Sequence, residues 1–139
     1  MEIVIHTDGG SRGNPGPAAS AFVVEQEGLI IFKGSKYLGK VTNNFAEYTG
    51  VIIALEWFLS SPFLNSELSV VNFVLDSELI VRQINGLYKV KDENLQKLFT
   101  EVKNLITKTN KKMTFKNVPR EQNKIADQLV NEELDRNIL

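Results

Sequence analysis

Four acidic side chains, Asp8, Glu47, Asp76 and Asp127, stand where an ordinary surface acid would be a poor choice. Asp8 ends the apolar run Ile3-Val4-Ile5-His6-Thr7 and is followed at once by the glycine-rich stretch Gly9-Gly10-Ser11-Arg12-Gly13-Asn14-Pro15-Gly16. Glu47 lies in the first turn of a hydrophobic helix, behind Thr42-Asn43-Asn44, and Asp76 closes a second apolar run, Val70-Val71-Asn72-Phe73-Val74-Leu75. Asp127 follows Ala126 near the start of the last helix. A carboxylate at the end of a buried strand is costly to desolvate unless positive charge meets it. In a chain with no cysteine and a single histidine, that charge points to a hard divalent cation held by oxygen.

Periodicity gives the elements that must position these acids. Residues 2–8 read as a buried strand, and 19–26 with 29–38 as a hairpin around Glu25-Gln26-Glu27-Gly28. Residues 44–60 predict an amphipathic helix with Phe45, Tyr48, Ile52, Leu55 and Leu59 at helical spacing and Pro62 beyond its end. A strand over 69–75, a short helix over 77–85, a longer helix over 92–109, a strand over 112–118 and a last helix over 123–135 complete the order βββαβααβα. Such an order predicts an α/β fold with a mixed sheet, antiparallel among its first three strands and parallel where helices cross over. Ligands gather near the carboxyl ends of parallel strands. If the strands ending at Asp8 and Asp76 are neighbours, their carboxylates converge.

Taken singly, each acid has an ordinary reading. Asp8 before two glycines could start a turn, Glu47 fits a capping box begun at Asn44, Asp76-Ser77 could cap the next helix, and Asp127 could be a surface acid. Jointly these readings weaken, because the neighbours of Asp127 (Ile125, Ala126, Leu129, Val130) are largely apolar. Asn123 lies one helical turn before Asp127 on the same face and could bond to it or to a substrate. His6, inside an apolar run, is expected to be a satisfied core histidine. The glycine-rich stretch fits neither a phosphate-binding loop ending in Gly-Lys-Ser/Thr nor a dinucleotide fingerprint; it reads as a turn that a bulky polymer can approach closely.

At 139 residues the chain fits one domain, 1–139, able to bury a core. The absence of cysteine is compatible with a reducing compartment. No apolar stretch reaches the roughly 20 residues of a membrane span, and the N-terminus lacks the marks of a signal peptide. A cytoplasmic location is therefore expected, with no membrane association, no protein partner and a monomeric state. The net charge of -1 is unevenly spread: residues 82–124 carry 11 basic and 4 acidic side chains, a net of +7. That segment could be a solvated helix surface or a cationic surface for phosphates beside the acids.

With these residues in place, the chain resembles the type 1 ribonuclease H family. The likeness covers nearly the whole length and rests on Thr7-Asp8-Gly9-Gly10-Ser11-Arg12-Gly13-Asn14-Pro15-Gly16-Pro17-Ala18, Thr42-Asn43-Asn44-Phe45-Ala46-Glu47, Asp76-Ser77 and Asn123-Lys124-Ile125-Ala126-Asp127. The resemblance implies a ribonuclease H-like fold whose five-stranded mixed sheet has the order 3-2-1-4-5. It implies catalysis and metal binding by Asp8, Glu47, Asp76 and Asp127, with two Mg²⁺ or Mn²⁺ ions per site when substrate is bound. The substrate so implied is an RNA/DNA hybrid, its RNA strand hydrolysed internally to 5′-phosphate and 3′-hydroxyl ends. Asn14, Asn43 and Asn44 match residues that enter the minor groove, where 2′-hydroxyls mark RNA; Thr42 matches a position that helps hold a DNA-strand phosphate.

Two departures stand out. Many relatives carry a histidine in the loop before the last helix; here that place is Asn117, and Val118-Pro119-Arg120-Glu121-Gln122 has none, leaving Arg120 and Glu121 as candidate substitutes. The inserted basic helix of some bacterial relatives is also absent, and Glu78 stands where others carry an amide. Substrate affinity is then expected to rest on Lys89, Lys91 and the lysines of 97–112. The competing functions are a nuclease for DNA or double-stranded RNA on the same fold, a silent hybrid-binding module, and a small-molecule hydrolase. Four acids facing phosphates disfavour the silent module, and no enclosed pocket is foreseen for a small molecule.

Overall fold

Burial alternates along the first strand: Ile3, Ile5 and Thr7 are fully covered, while Val4 and His6 between them are only half-covered. One face of the sheet therefore carries the main core and the other a thinner one. The computed structural model describes residues 2–138. Its elements are β1 (Ile3–Ser11), β2 (Gly16–Gln26), β3 (Leu29–Val41), α1 (Asn43–Ser60), β4 (Val70–Leu75), α2 (Glu78–Ile84), α3 (Glu93–Thr109), β5 (Lys112–Asn117) and α4 (Lys124–Asn137), with short 3₁₀ turns at Pro62–Asn65 and Arg120–Gln122. The five strands form one mixed sheet in the order β3-β2-β1-β4-β5. The β1–β2 and β2–β3 pairs are antiparallel, and β1–β4 and β4–β5 are parallel. The sequence expectation of an α/β mixed sheet holds, including its strand order.

Helix α1 lies on the face formed by Ile3, Ile5, Phe22, Val24, Val71 and Phe73, with Val102 and Leu105 of α3 closing the core beyond it. This corrects the expected single apolar stripe of α1. Being held between the sheet and α3, it buries Ala46, Tyr48, Val51, Ile52, Ala54, Leu55 and Phe58, which lie well round its circumference. The opposite face is covered by α4, where Val130 and Leu134 meet Ala19 and Ala21. Small residues in β2 let that helix settle close to the sheet.

Strand β1 runs on through Gly9, Gly10 and Ser11, although the double glycine had suggested a turn. The reason is the neighbouring helix. A methyl group on Gly9 would collide with the Ala46 carbonyl and come within 2.5 Å of the Glu47 backbone nitrogen, and one on Gly50 would lie 2.8 Å from the Asp8 carbonyl oxygen. Two missing side chains, one from each element, allow α1 to cross β1 almost backbone to backbone, and the Ser20 hydroxyl fixes the crossing by donating to the Ala46 carbonyl at 2.6 Å. This close approach seats Glu47 over Asp8. Gly9→Ala should destabilise the protein by about 1–3 kcal/mol, the usual range for overpacking, in urea denaturation; an unchanged midpoint would contradict the tight crossing.

Candidate active site

The register of β1 against β4 pairs His6 with Val74. Continued two residues further, it brings Asp8 level with Asp76 at the carboxyl ends of two adjacent parallel strands. Glu47 reaches the same point from the second turn of α1. The ordinary readings of two acids are removed by their neighbours. Thr42 caps α1, its hydroxyl accepting from the Phe45 N–H at 3.2 Å, so Glu47 is not a capping residue. Ser77 caps α2 by accepting from the Ile80 N–H at 3.3 Å, which leaves Asp76 free. One oxygen from each of Asp8, Glu47 and Asp76 lies within 4.8 Å of the others. Asp127 lines the same open cleft, about 400 Å³ in volume, but stands nearer its mouth with Arg120 Nη2 at 3.6 Å from its Oδ1.

Three carboxylates this close and this covered cannot all be charged without help. Burial first, and then the negative charge of Asp76, push the Asp8 carboxyl up to about 7, against the stabilising Gly9 N–H, which donates to Asp8 Oδ1 at 2.9 Å. Glu47 is raised well above its usual range by burial and by the charges of Asp8 and Asp76. Asp76 is raised by burial, partly offset by the Arg120 guanidinium. Glu47 Oε2 and Asp76 Oδ2 are buried and accept no hydrogen bond among the described residues. Oxygen-only donors, carboxyls whose ionisation is disfavoured and orphaned carboxylate oxygens are what a hard divalent cation satisfies, so the residues fit the expected metal.

Neutral polar groups rim the cleft. Asn43 Oδ1 accepts from the Ser11 N–H at 2.8 Å and from its hydroxyl at 3.0 Å, while Asn14 Oδ1 accepts from the Asn43 N–H at 3.1 Å. These bonds tie the β1–β2 loop to the start of α1 and present both amide groups outward. Asn44 lines this cleft and an adjoining one bordered by Asn14, Lys40, Thr42 and Asp92. Asn123 sits beneath the acids, where its side chain bonds to Asp76 and draws the pKa of that carboxyl downward. It is 1% exposed and its Nδ2 donates to the Thr7 carbonyl at 2.8 Å, so it braces the end of β1 from behind the acids instead of lying on the rim.

The cationic segment divides into two groups. Lys103 donates to the Ile84 carbonyl at 2.6 Å and Lys111 to the Ser66 and Leu68 carbonyls. These two ammonium groups hold the fold together. Arg82 pairs with Glu78 at 2.8 Å and lies over the Tyr88 ring. Lys89 and Lys91 are exposed on the loop between α2 and α3. His6 is not a core residue. It is half-covered, its Nε2 is 3.4 Å from Glu25 Oε1, and it borders a separate cavity beside Glu121. Of the two candidate substitutes for the loop histidine, only Arg120 borders the acids. Asn117, the last residue of β5, is exposed and pairs in register with Leu75.

The raised acids make a signed prediction for the metal-free protein. Between the unfolded value of 3.8 and about 7, folded Asp8 binds more protons than unfolded Asp8. This group therefore subtracts stability as pH rises through that window, and the loss is complete above it. Asp8→Asn, which cannot ionise, should gain on the wild type as pH rises from 4 to 8, reaching a surplus on the order of 4 kcal/mol at pH 8. Urea denaturation with chelator present measures this. A difference between the two proteins that stays flat across the range would contradict it.

Comparison with known proteins agrees with this geometry. The sequence family described as "Reverse transcriptase-like" matches residues 6–133. Ribonuclease HI of Halobacterium salinarum is 39% identical over 129 residues, covering 92% of this chain and 62% of that protein. The bifunctional protein Rv2228c of Mycobacterium tuberculosis is 36% identical over 137 residues, covering 97% of this chain and 36% of that protein. The chain thus spans about a third of the length of these mycobacterial relatives. The crystal structure of LC11-RNase H1 in complex with an RNA/DNA hybrid superposes with a TM-score of 0.94 at 40% identity, covering 99% of this chain and all of that one. RNase H1 of Halobacterium salinarum gives 0.86 at 34%, covering 98% and 99%. Sequence and fold agree along nearly the whole chain, and the protein belongs to the type 1 ribonuclease H family.

Proposed function

We propose that this protein is a divalent-cation-dependent endonuclease that hydrolyses the RNA strand of RNA/DNA hybrids, leaving 5′-phosphate and 3′-hydroxyl ends. The observation that carries the proposal is the convergence of Asp8, Glu47 and Asp76 within 4.8 Å at the floor of an open cleft. An open cleft suits a polymer and does not enclose a small molecule. The 40%-identical LC11-RNase H1, whose structure contains an RNA/DNA hybrid, supports the choice of substrate.

Two Mg²⁺ or Mn²⁺ ions, when bound, would make the attacking water more acidic and stabilise the departing oxygen. Asp8, Glu47 and Asp76 would hold them, with Asp127 completing the set from the mouth of the cleft. Asn14, Asn43 and Asn44 would lie along the minor groove, where side-chain amides can bond to 2′-hydroxyls and to base edges. Thr42 and Lys40 border the adjoining cleft, which lies where the second strand's backbone would pass. Its hydroxyl already accepts the Phe45 N–H, so Thr42 would offer its proton to a phosphate. Lys89 and Lys91, free of internal partners among the described residues, would neutralise phosphates further along. Asn123 would keep the end of β1 in place.

Cleavage of labelled RNA/DNA hybrid, duplex DNA, duplex RNA and single-stranded RNA, with Mg²⁺ or Mn²⁺ and with chelator, tests the proposal. Hybrid should be cut only with metal, and Asp8→Asn should lose about 100-fold or more in rate, as removal of a charge-stabilising group does, while still binding hybrid. Equal cutting of duplex DNA, or wild-type activity in Asp8→Asn, would overturn it. In the same assay Lys89→Ala with Lys91→Ala should raise KM several-fold and flatten its dependence on salt. An unaltered salt response would remove these lysines from the contact surface.

A further inference from the structure

Arg120 is the basic group turned toward the acids. It opens the 3₁₀ turn Arg120–Gln122 between β5 and α4, and the backbone on either side of it is fixed. The Val118 N–H donates to the Leu75 carbonyl at 2.8 Å, next to Asp76, and the Asn123 N–H donates to the Arg120 carbonyl at 2.9 Å. The side chain is loosely held by contrast. It is 79% exposed, with Nη2 3.6 Å from Asp127 Oδ1. That separation exceeds a hydrogen bond, so charge alone keeps the guanidinium there. Arg12, the other basic group bordering the cleft, is engaged elsewhere, on Asp135 at 2.7 Å.

The charge of Arg120 reaches further than its one contact. It favours ionisation of Asp76, against burial and against the charge of Asp127. In the free protein this guanidinium therefore supplies part of the positive charge that the acids require. A divalent cation bound by Asp127 would meet it as a like charge and would have to displace it from the carboxylate. Exposed ion pairs of this kind are weak, so the displacement is easy. A phosphate offers a better partner, because guanidinium–phosphate bonds are charge-assisted and two-pronged. A long side chain on a fixed turn can change partners without moving the backbone. Both partners would be met at the mouth of the cleft, where a polyanion would enter.

We propose that Arg120 is an internal counter-ion with two alternating partners: Asp127 while the cleft is free, and a backbone phosphate of the substrate once divalent cations engage Asp127. The inference rests on the nuclease reading and adds regulation of the same site to it. Arg120 weakens cation binding by the free protein and yields that position when a polyanion arrives, so cations and substrate load together. This differs from what a loop histidine could do, since a guanidinium stays charged and passes no proton.

Two binding measurements on the full chain test this as a pair: Mn²⁺ titration without substrate, with unbound ion counted by electron paramagnetic resonance, and RNA/DNA hybrid binding in chelator. Arg120→Gln should bind Mn²⁺ about 3–10-fold more tightly than the wild type, as a nearby like charge is lost. The same variant should bind hybrid several-fold more weakly without metal, as a phosphate contact is lost. Arg120→Lys, which keeps the charge, should stay within about two-fold of the wild type for Mn²⁺. The opposite signs are the signature, because damage to the fold would weaken both. Mn²⁺ affinity in Arg120→Gln no higher than in the wild type, or unchanged hybrid binding, would overturn the proposal while leaving the nuclease reading in place. Equal Mn²⁺ binding by the wild type and Asp8→Asn would remove the cation site itself, taking the nuclease reading and this inference down together.

Discussion

Desolvation of three neighbouring carboxyls, compounded by acidic charge beside them, is the constraint around which this molecule is organised. Asp8, Glu47 and Asp76 come from a strand end, a helix and a second strand end, and each is pushed toward its protonated form where they meet. Left to itself, such a cluster would loosen the surrounding backbone. It is held by contacts that have nothing to do with charge. Gly9 and Gly50 let α1 and β1 approach backbone to backbone, Ser20 pins the Ala46 carbonyl, and Asn123 clasps the Thr7 carbonyl from the opposite face. A local violation of electrostatic good sense is thus supported by unusually close packing one residue away, as expected where function and stability pull in different directions.

The chemistry of the rim follows from the same requirement. Positive side chains placed among the acids would neutralise them internally and leave no room for a cation. Two basic groups border the cleft: Arg12 is paired with Asp135 at 2.7 Å, and Arg120 leans on Asp127 at the mouth while partly offsetting the rise at Asp76. Elsewhere the rim carries the neutral Asn44 together with Ser11, Asn43 and Asn14, the last three already linked to one another by hydrogen bonds. A polyanionic ligand approaching this surface meets fixed dipoles first and the acidic floor afterwards. On the proposed reading, attraction between that floor and phosphates would require bound cations and would couple substrate affinity to metal occupancy.

Much of this was legible in the sequence because it depends on local pattern. Asp8 and Asp76 each end an apolar run, and the order of strands and helices makes a parallel pairing of those runs natural, so their convergence could be anticipated. Glu47 was harder: its position after Asn44 resembles a cap, and only the helix starting one residue earlier, at Asn43 behind Thr42, separates the two readings. What could not be read locally depends on partners distant along the chain. Gly9 and Gly10 continue a strand because α1 lies against them. Lys103 and Lys111 looked like phosphate ligands but serve carbonyls 19 and more than 40 residues away. His6 seemed internal because its neighbours in sequence are apolar, yet alternate strand residues face opposite layers, and its layer is the thinly covered one.

The central claim is that the three inner acids form one cation site. Diffraction from crystals soaked in Mn²⁺, recorded to give its anomalous signal, tests this directly. The account predicts a peak within about 2.0–2.6 Å of carboxylate oxygens from Asp8, Glu47 and Asp76 together, the range of metal–oxygen bonds to hard cations, and its disappearance in Asp8→Asn. Manganese found only on scattered surface acids, with the three inner carboxylates bare at saturating metal, would contradict it.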